Sequence, residues 1–442
     1  MANPFNGAKW PKVTVYAAVG AEGDANAIVL DSGPGLGTGT LGGVDLAAIT
    51  TDSDGNNALR SVRRSFGRGS PIDAADIGTC QLVFNNQSGD YDPTNAGGPH
   101  AGLLTIGTAV QVVAEWPLNM AWPRFTGTIT SFEIDTSIAP TVTITCADAL
   151  EQLGRTQLPL EAPEFADNTS GQRVHNILDR AGWPTTARAV AAGYSTLHAT
   201  VLGNPALEEL RKVEATETGL LFVSETGDVV FYDRHQAATA SRSAAVQLRL
   251  ADAAPTPYVG MTELVMVRSR DRVYNDIRLT REPDPAQDPE LAGTEPGDEP
   301  QEQAASDAAS IAAYGNLNLP AAMGALHVSD TAVLAQAQGL LARHKDATDQ
   351  ISSVAINALH PQVAAQSLWP DLLALTLLDR IEVSRDYGPN TIAAELLVQG
   401  VTEEIAADPP TWTLTLTTAN PPPDPTFFYL DIGELGTDML TW

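Results

Sequence analysis

Period-two alternation recurs at both ends of this 442-residue chain, and no other feature restricts its fold so much. Trp412-Thr-Leu-Thr-Leu-Thr417 alternates strictly. So do Val142, Ile144 and Cys146 with Thr141, Thr143 and Thr145, and Val13 and Val15 with Thr14 and Tyr16. Val110 and Val112 lead to Trp116 on one face. Successive strand side chains point to opposite faces, so these runs mark half-buried antiparallel strands. Turn-forming clusters about every ten residues then suggest a barrel or sandwich over residues 1–155. The glycine-rich stretch from Ser32 to Gly43 reads as a loop.

The texture changes near Asn168. Thr169-Ser-Gly-Gln172 can form a capping box, with Val174, Ile177, Leu178 and Ala181 following at helical spacing until Gly182 and Pro184. Asn204-Pro205 opens a second helix, with Glu208 and Glu209 in the first turn, where the helix dipole favours acids. A hairpin comes next, Leu220 to Val223 and Val229 to Tyr232, around Glu225-Thr-Gly-Asp228. Two helices and a hairpin make this stretch α+β.

The chain after Arg234 returns to strands that end in Trp412 to Thr417. It is interrupted from Glu282 to Asp307 by nine acids, five prolines and no base, a composition that argues for a solvated linker. That linker parts a strand, Asp271 to Arg281, from a helix around Ser306 to Gly315. A further helix carries Val333, Ala337, Leu340, Leu341 and His344 on one face. After Pro421 the prolines cannot continue a ladder, so the chain should leave the barrel. The apolar residues beyond, among them Tyr429, Leu435, Leu440 and Trp442, form a segment that reads as a docking tail.

Charge narrows function. With 25 basic against 54 acidic side chains the net charge is −29, which repels phosphates and anionic membranes and argues against sequence-specific nucleic-acid binding. Cys80 and Cys146 are the only cysteines, so no disulfide framework is expected and both read as buried thiols. No basic-then-apolar leader and no run of about 18 apolar residues is present, so neither a signal peptide nor a membrane span is expected, and folding should take place in a reducing cytoplasm.

The motifs that resemble chemistry dissolve on inspection. Gly37-Thr-Gly-Thr-Leu-Gly42 fits a dinucleotide fingerprint, but the stretch from Gly43 to Asp52 is too short for the required helix. Asp52-Ser-Asp54-Gly-Asn56 alternates acids as a calcium loop does, yet its glycine is fourth rather than sixth and Arg63 takes the twelfth place. The seven histidines are scattered without ligand spacing, and Cys146 heads no helix that would lower its pKa towards His175 or His198. No catalytic residue, cofactor or metal site is expected.

Three blocks, in order, carry a family resemblance. The first is Gln81-Leu-Val-Phe-Asn-Asn-Gln-Ser-Gly-Asp-Tyr-Asp-Pro-Thr-Asn95, with Asp92 and Pro93 at the turn, followed by Arg124-Phe-Thr-Gly-Thr-Ile129, with Phe125 and Gly127, and by Val142 to Leu150, with Asp148. The second is the helix and hairpin through Arg234. The third joins Val273-Tyr-Asn-Asp-Ile277, with Asn275 and Asp276, to the helix ending Tyr314-Gly315. Together they resemble the minor tail proteins that form the tail-tip, or baseplate, hub of long, non-contractile bacteriophage tails in actinobacterial hosts. Relatives carry basic residues around the Asp-Pro turn, where this chain has Asn85, Asn86, Gln87 and Ser88, so a charge-based contact there is not carried over.

The resemblance implies a mainly β fold: two tail-tube-like β-barrel domains over residues 1–155 and 236–420, with a small α/β insertion domain over 156–235. It implies a structural virion protein, a trimer whose six barrels cap the tube. The protein would hold the tape-measure protein, contact the distal tail protein and other tip proteins, and let DNA pass without specific binding. Its place would be the virion tail tip, after assembly in the host cytoplasm, with the docking tail on a neighbouring subunit or another tip protein. Alternatives are the hexameric distal tail ring, a tail-associated cell-wall hydrolase and a receptor-binding protein. A hydrolase calls for a separate C-terminal catalytic domain. A receptor binder calls for repeats that this chain lacks.

Overall fold

The computed structural model describes residues 10–18, 40–41, 44–116, 120–160, 164–252, 258–286, 300–319, 325–360, 363 and 368–422. The docking-tail residues Tyr429, Leu435, Leu440 and Trp442 lie outside them, as does most of the Ser32 to Gly43 loop.

The N-terminal half contributes β1 (Lys12–Ala18), β2 (Thr40–Leu41), β3 (Val44–Ala48), β4 (Leu59–Gly67), β5 (Asp76–Asn85), β6 (Ala109–Glu115), β7 (Ala121–Asp135) and β8 (Thr141–Ala147). They pair in the order β4-β5-β8-β7-β6-β1-β3-β2. β8 keeps the expected alternation, with Val142, Ile144 and Cys146 buried between half-buried threonines. β6 does not. Gln111 and Val113 are buried beside Val110 and Val112, because the second face is covered as well. Gln111 Nε2 donates to Thr126 Oγ1 (3.3 Å), and Thr126 Oγ1 donates to the Glu225 carbonyl (2.9 Å), so the hairpin of the middle region lies over that face.

The middle region holds α1 (Ala149–Arg155), β9 (Asn168–Thr169), α2 (Ser170–Arg180), β10 (Arg188–Val190), β11 (Thr196–Leu197), α3 (Ala206–Glu217), β12 (Leu220–Val223) and β13 (Val229–Tyr232). The capping box forms at Thr169 and Gln172. α3 starts directly after Pro205, with Glu208 and Glu209 in its first turn. Leu150, Leu153, Val174, Ile177, Leu210, Val213, Leu221 and Phe231 share one core there, so α1 packs with this region rather than with the strands that precede it.

After α4 (Gln236–Thr239) and α5 (Ser241–Ala244) the chain forms β14 (Val246–Ala251), β15 (Val259–Val267), β16 (Asp276–Leu279), β17 (Gln303–Ser306), α6 (Ala308–Tyr314), α7 (Asp330–His344), β18 (Gln350–Asn357), α8 (Trp369–Leu373), β19 (Arg380–Tyr387), β20 (Asn390–Ala407) and β21 (Pro410–Ala419). Pairings run β14-β15-β18-β21-β20-β19 and return to β14, closing six strands into a ring. β20 also pairs with β4, so one sheet of 14 strands runs through both halves. The fold is mainly β, with few helices.

Two expectations need correction. The strand from Asp271 to Arg281 shortens to β16, because a helical turn occupies Arg270–Arg272 and Asn275 turns its side chain to neighbouring loops. The acidic linker is shorter than its composition suggested. Its end pairs as β17 with β16, Ala305 joins a small core with Ile277, Leu279, Val333, Ala337 and Leu340, and Asp307 caps α6 by accepting from Ser310 N (2.9 Å). Charge density at 282–302 does not extend to the alanines and serine of 304–306, which suit a short edge pair.

Candidate functional site

The chemistry of this molecule is concentrated where β20 meets β4. β20 lies beside β19 over its first residues and beside β4 over its last, with a register shift between Val398 and Gly400 at the change of partner. Gly67 faces Gly400 at φ +102, and a Cβ there would stand 2.4 Å from the Gln399 carbonyl oxygen. Only glycine fits so close an approach.

Inside this seam lies a buried ionic cluster. Glu403 of β20, 1% exposed, accepts from Arg64 Nε of β4 (2.5 Å), Arg124 Nη2 and Nε of β7 (3.0 and 3.1 Å), and Trp412 Nε1 of β21 (2.8 Å). Arg64 also donates to the Arg124 carbonyl, and Arg124 to the Leu373 carbonyl at the end of α8. Burial alone would raise the Glu403 pKa, but Arg124 and Arg64 overcome it and hold the carboxyl at about 2. Trp369 lies 4.9 Å from Trp412 and 6.5 Å from Trp116, enclosing the cluster in aromatic surface. Glu225, at the tip of the β12–β13 hairpin, accepts from Thr376 Oγ1 (3.2 Å), and its carboxylate lies 3.9 Å from Arg64. Both halves and the middle region therefore meet at one point.

A second buried cluster joins the middle region to α7. Glu217 accepts from Ser170 Oγ (2.7 Å), Ser195 N (2.8 Å) and Arg234 Nε (2.9 Å). Burial opposes its charge, but Arg234 and these donors hold its pKa below the usual carboxylate value. Gln336 of α7 donates to the Ala215 carbonyl and to Thr218 Oγ1 (both 2.9 Å), and its own carbonyl oxygen meets His327 Nε2 (3.2 Å). Burial, then Arg234, lowers the His327 pKa to about 4.

The motif residues occupy structural places and are not gathered into one site. Asp92 accepts from Thr94 N and Oγ1 and fixes the turn with Pro93. Phe125 is in the main core, and Gly127 passes so close to β8 that a Cβ would stand 2.2 Å from the Ala147 carbonyl oxygen. Asp148 caps α1, accepting from Leu150 N (2.9 Å) and Gly78 N (2.7 Å), while burial pushes its pKa up to about 7 against these donors. Asn275 donates to Ser310 Oγ and the Gly315 carbonyl and accepts from Leu317 N, which ties β16 to the end of α6. Asp276 accepts from Asn316 Nδ2 (3.1 Å), Tyr314 is half-buried, and Gly315 ends α6 at φ +85.

Cys80 and Cys146 stand directly opposite each other in β5 and β8, both buried and free. Burial pushes the Cys80 thiol up to about 12 and the Cys146 thiol well above its ordinary value, so neither is a ready nucleophile. His198 turns its ring nitrogens to the Ala199 and Ala325 carbonyls, and His175 is exposed. Asp52 accepts from Asp54 N and Asn56 N, an ordinary Asx turn. Among the described residues no cluster of three or more His, Cys, Asp or Glu could hold a metal, and no helix is long and apolar enough to cross a membrane.

No family model and no curated protein matches this sequence. Solved structures do. The 43 kDa tail protein of prophage MuSo2 from Shewanella oneidensis aligns with a TM-score of 0.53, over 92% of this chain and 96% of that one, at 12% identity. A tail protein from Neisseria meningitidis MC58 aligns with the same score, over 82% and 93%, at 11% identity. The chain has the fold of these tail proteins. Identity this low leaves the fold as the thing shared, and the two glycines, the cap at Asp148 and the seam show how this sequence reaches it.

Proposed function

We propose that this protein is a structural component of a phage tail, the hub ring at the tip of a long, non-contractile tail in phages of actinobacterial hosts. The observation that carries the tail assignment is the likeness to two tail proteins along nearly their whole length, while the tip station, the tail type and the host rest on the motif resemblance alone. In this reading residues 1–155 and 236–420 are the two ring-forming domains, 156–235 the insertion and 421–442 the docking tail. Three copies close the tube, hold the tape-measure end, meet the distal tail protein and leave a path for DNA.

Its work is assembly and gating rather than bond-making. A net charge of −29 suits a passage for duplex DNA, since basic walls would retain a polymer with one charge per ~1.7 Å. The thiols are buried with raised pKa values, which favours a non-enzymatic role. The mass of the purified assembly tests the reading. Three times 46.6 kDa is expected, whereas six copies would favour the distal tail ring. Cell-wall hydrolysis by the purified protein would overturn the non-enzymatic role.

A further inference from the structure

Four core-facing positions line up across the N-terminal strands. Register places Arg64 of β4 opposite Cys80 of β5, Cys80 opposite Cys146 of β8, and Cys146 opposite Ile129 of β7. All four are buried. The two cysteines, the only ones in the chain, are thus direct cross-strand neighbours with their thiols on one face. Two residues along, Asp148 N donates to the Gly78 carbonyl (2.9 Å), which makes Cys80 and Cys146 a hydrogen-bonded pair, with Cα atoms about 5.5 Å apart. That separation falls inside the roughly 4.4–6.8 Å that disulfides span. Beside burial, the nearness of Cys80 raises the Cys146 thiol.

We propose that Cys80 and Cys146 form a reversible cross-strand disulfide, a staple that oxidation closes between β5 and β8. Two Sγ–H bonds break and one Sγ–Sγ bond forms. The two protons and two electrons pass to a small disulfide such as oxidised glutathione, which leaves as two thiols. In the folded protein neither thiol meets solvent and both stay protonated, so the bond closes only while the chain folds or when β5 and β8 part for a moment. A reducing cytoplasm keeps it open, and an oxidising exterior allows it to close. Arg64 stands next to Cys80 and holds Glu403, so the staple fixes the strand that backs the seam. The crosslink also restricts the unfolded chain and so stabilises the fold. Its use outside the cell rests on the tail reading, whereas the bond itself depends only on this register.

The purified full chain tests both the bond and its effect. Refolded from urea with excess oxidised glutathione, most molecules should lose both free thiols and the mass of two hydrogens, with the link inside one chain. Chains that were never unfolded should react more slowly, on the order of 100-fold. The urea midpoint of the crosslinked protein should rise by about 1 M and fall back with dithiothreitol. Cys146→Ala, treated in the same way, should show no such rise. Folded chains that keep two free thiols, carry glutathione adducts or link only between molecules overturn the proposal. A midpoint that oxidation leaves unchanged overturns the stabilising role. The assembly mass that tests the hub reading is a separate measurement, so either can fail alone.

Discussion

The seam around Glu403 and the junction around Glu217 use one device, a buried carboxylate gripped by arginine, for different ends. At the seam the partners come from β4, β7 and β21, and the Arg64–Glu403 pair spans 339 positions. At the second junction Ser170, Ser195 and Arg234 lie within 47 positions of Glu217, and α7 is added through Gln336 and His327. The charged partners at the seam are arginines alone. The second junction also holds a histidine kept neutral. One should survive acid and the other should not, and this contrast can be broken or sharpened in steps.

The largest effect is expected from Glu403→Ala. It leaves Arg64 and Arg124 buried without their counter-charge, a loss of about 3–5 kcal/mol in denaturant unfolding. Glu217→Ala should cost less, about 2–3 kcal/mol, because serine and backbone donors remain to hydrogen-bond water. Equal losses would show that sequence separation makes no difference to what the cluster holds.

Next comes Gly67→Ala. Its Cβ meets the Gln399 carbonyl oxygen at a positive φ, so roughly 2–3 kcal/mol should be lost, with exchange rising first in β4 and β20. Loss confined to the middle region would contradict the seam's role.

Acid titration should separate the two junctions. The folded pKa of His327 is lowered to about 4 from 6.5, so unfolded chains take up its proton first and stability falls as pH drops from 6.5 towards 4, by about 3 kcal/mol. His344, lowered to about 4 by burial and Arg343, acts in the same direction. The folded pKa of Glu403 is lowered from 4.5 to about 2, so its contribution is complete above 4.5 and is lost progressively as pH falls from there through about 2. Exchange should therefore quicken around His327 and α7 before it quickens at β4 and β20. The reverse order would refute the contrast.

The smallest effect belongs to Arg63→Ala. Arg63 neighbours Arg64 but pairs with Glu404 on the surface, both more than half exposed, and its loss should change stability by about 0–0.5 kcal/mol. A cost near that of Glu403→Ala would mean that the surface pair, rather than the buried cluster, closes the seam.

Much of this was legible from residue order. Capping at Thr169, the hairpin around Glu225 and the alternation of β8 and β21 arise from local rules, because each depends on a few neighbouring residues. The seam was less legible, though it left a trace. Arg64 sits between Val62 and Phe66, and Glu403 between Val401 and Ile405, so charged residues occupy core-facing positions of two alternating strands. Such parity marks a buried charge but not its partner, since the match depends on a pairing of β4 with β20 that no local pattern encodes. β6 was misjudged for a related reason, because its second face is covered by a hairpin about 100 residues away. The 303–307 stretch was misjudged because composition averaged over a window conceals a short strand at its end.

The β4–β20 ladder also has a mechanical meaning. Seven residue pairs, from Gly67–Gly400 to Ser61–Ala406, connect the two halves of the sheet. A force that slides the halves along the strand direction strains all seven together, with the Arg64–Glu403 contact loaded at the same moment. A force that pulls them apart from one end meets a single pair at a time. The molecule is therefore stiff to shear and weak to peeling, and any load it carries is best borne along the axis of β20.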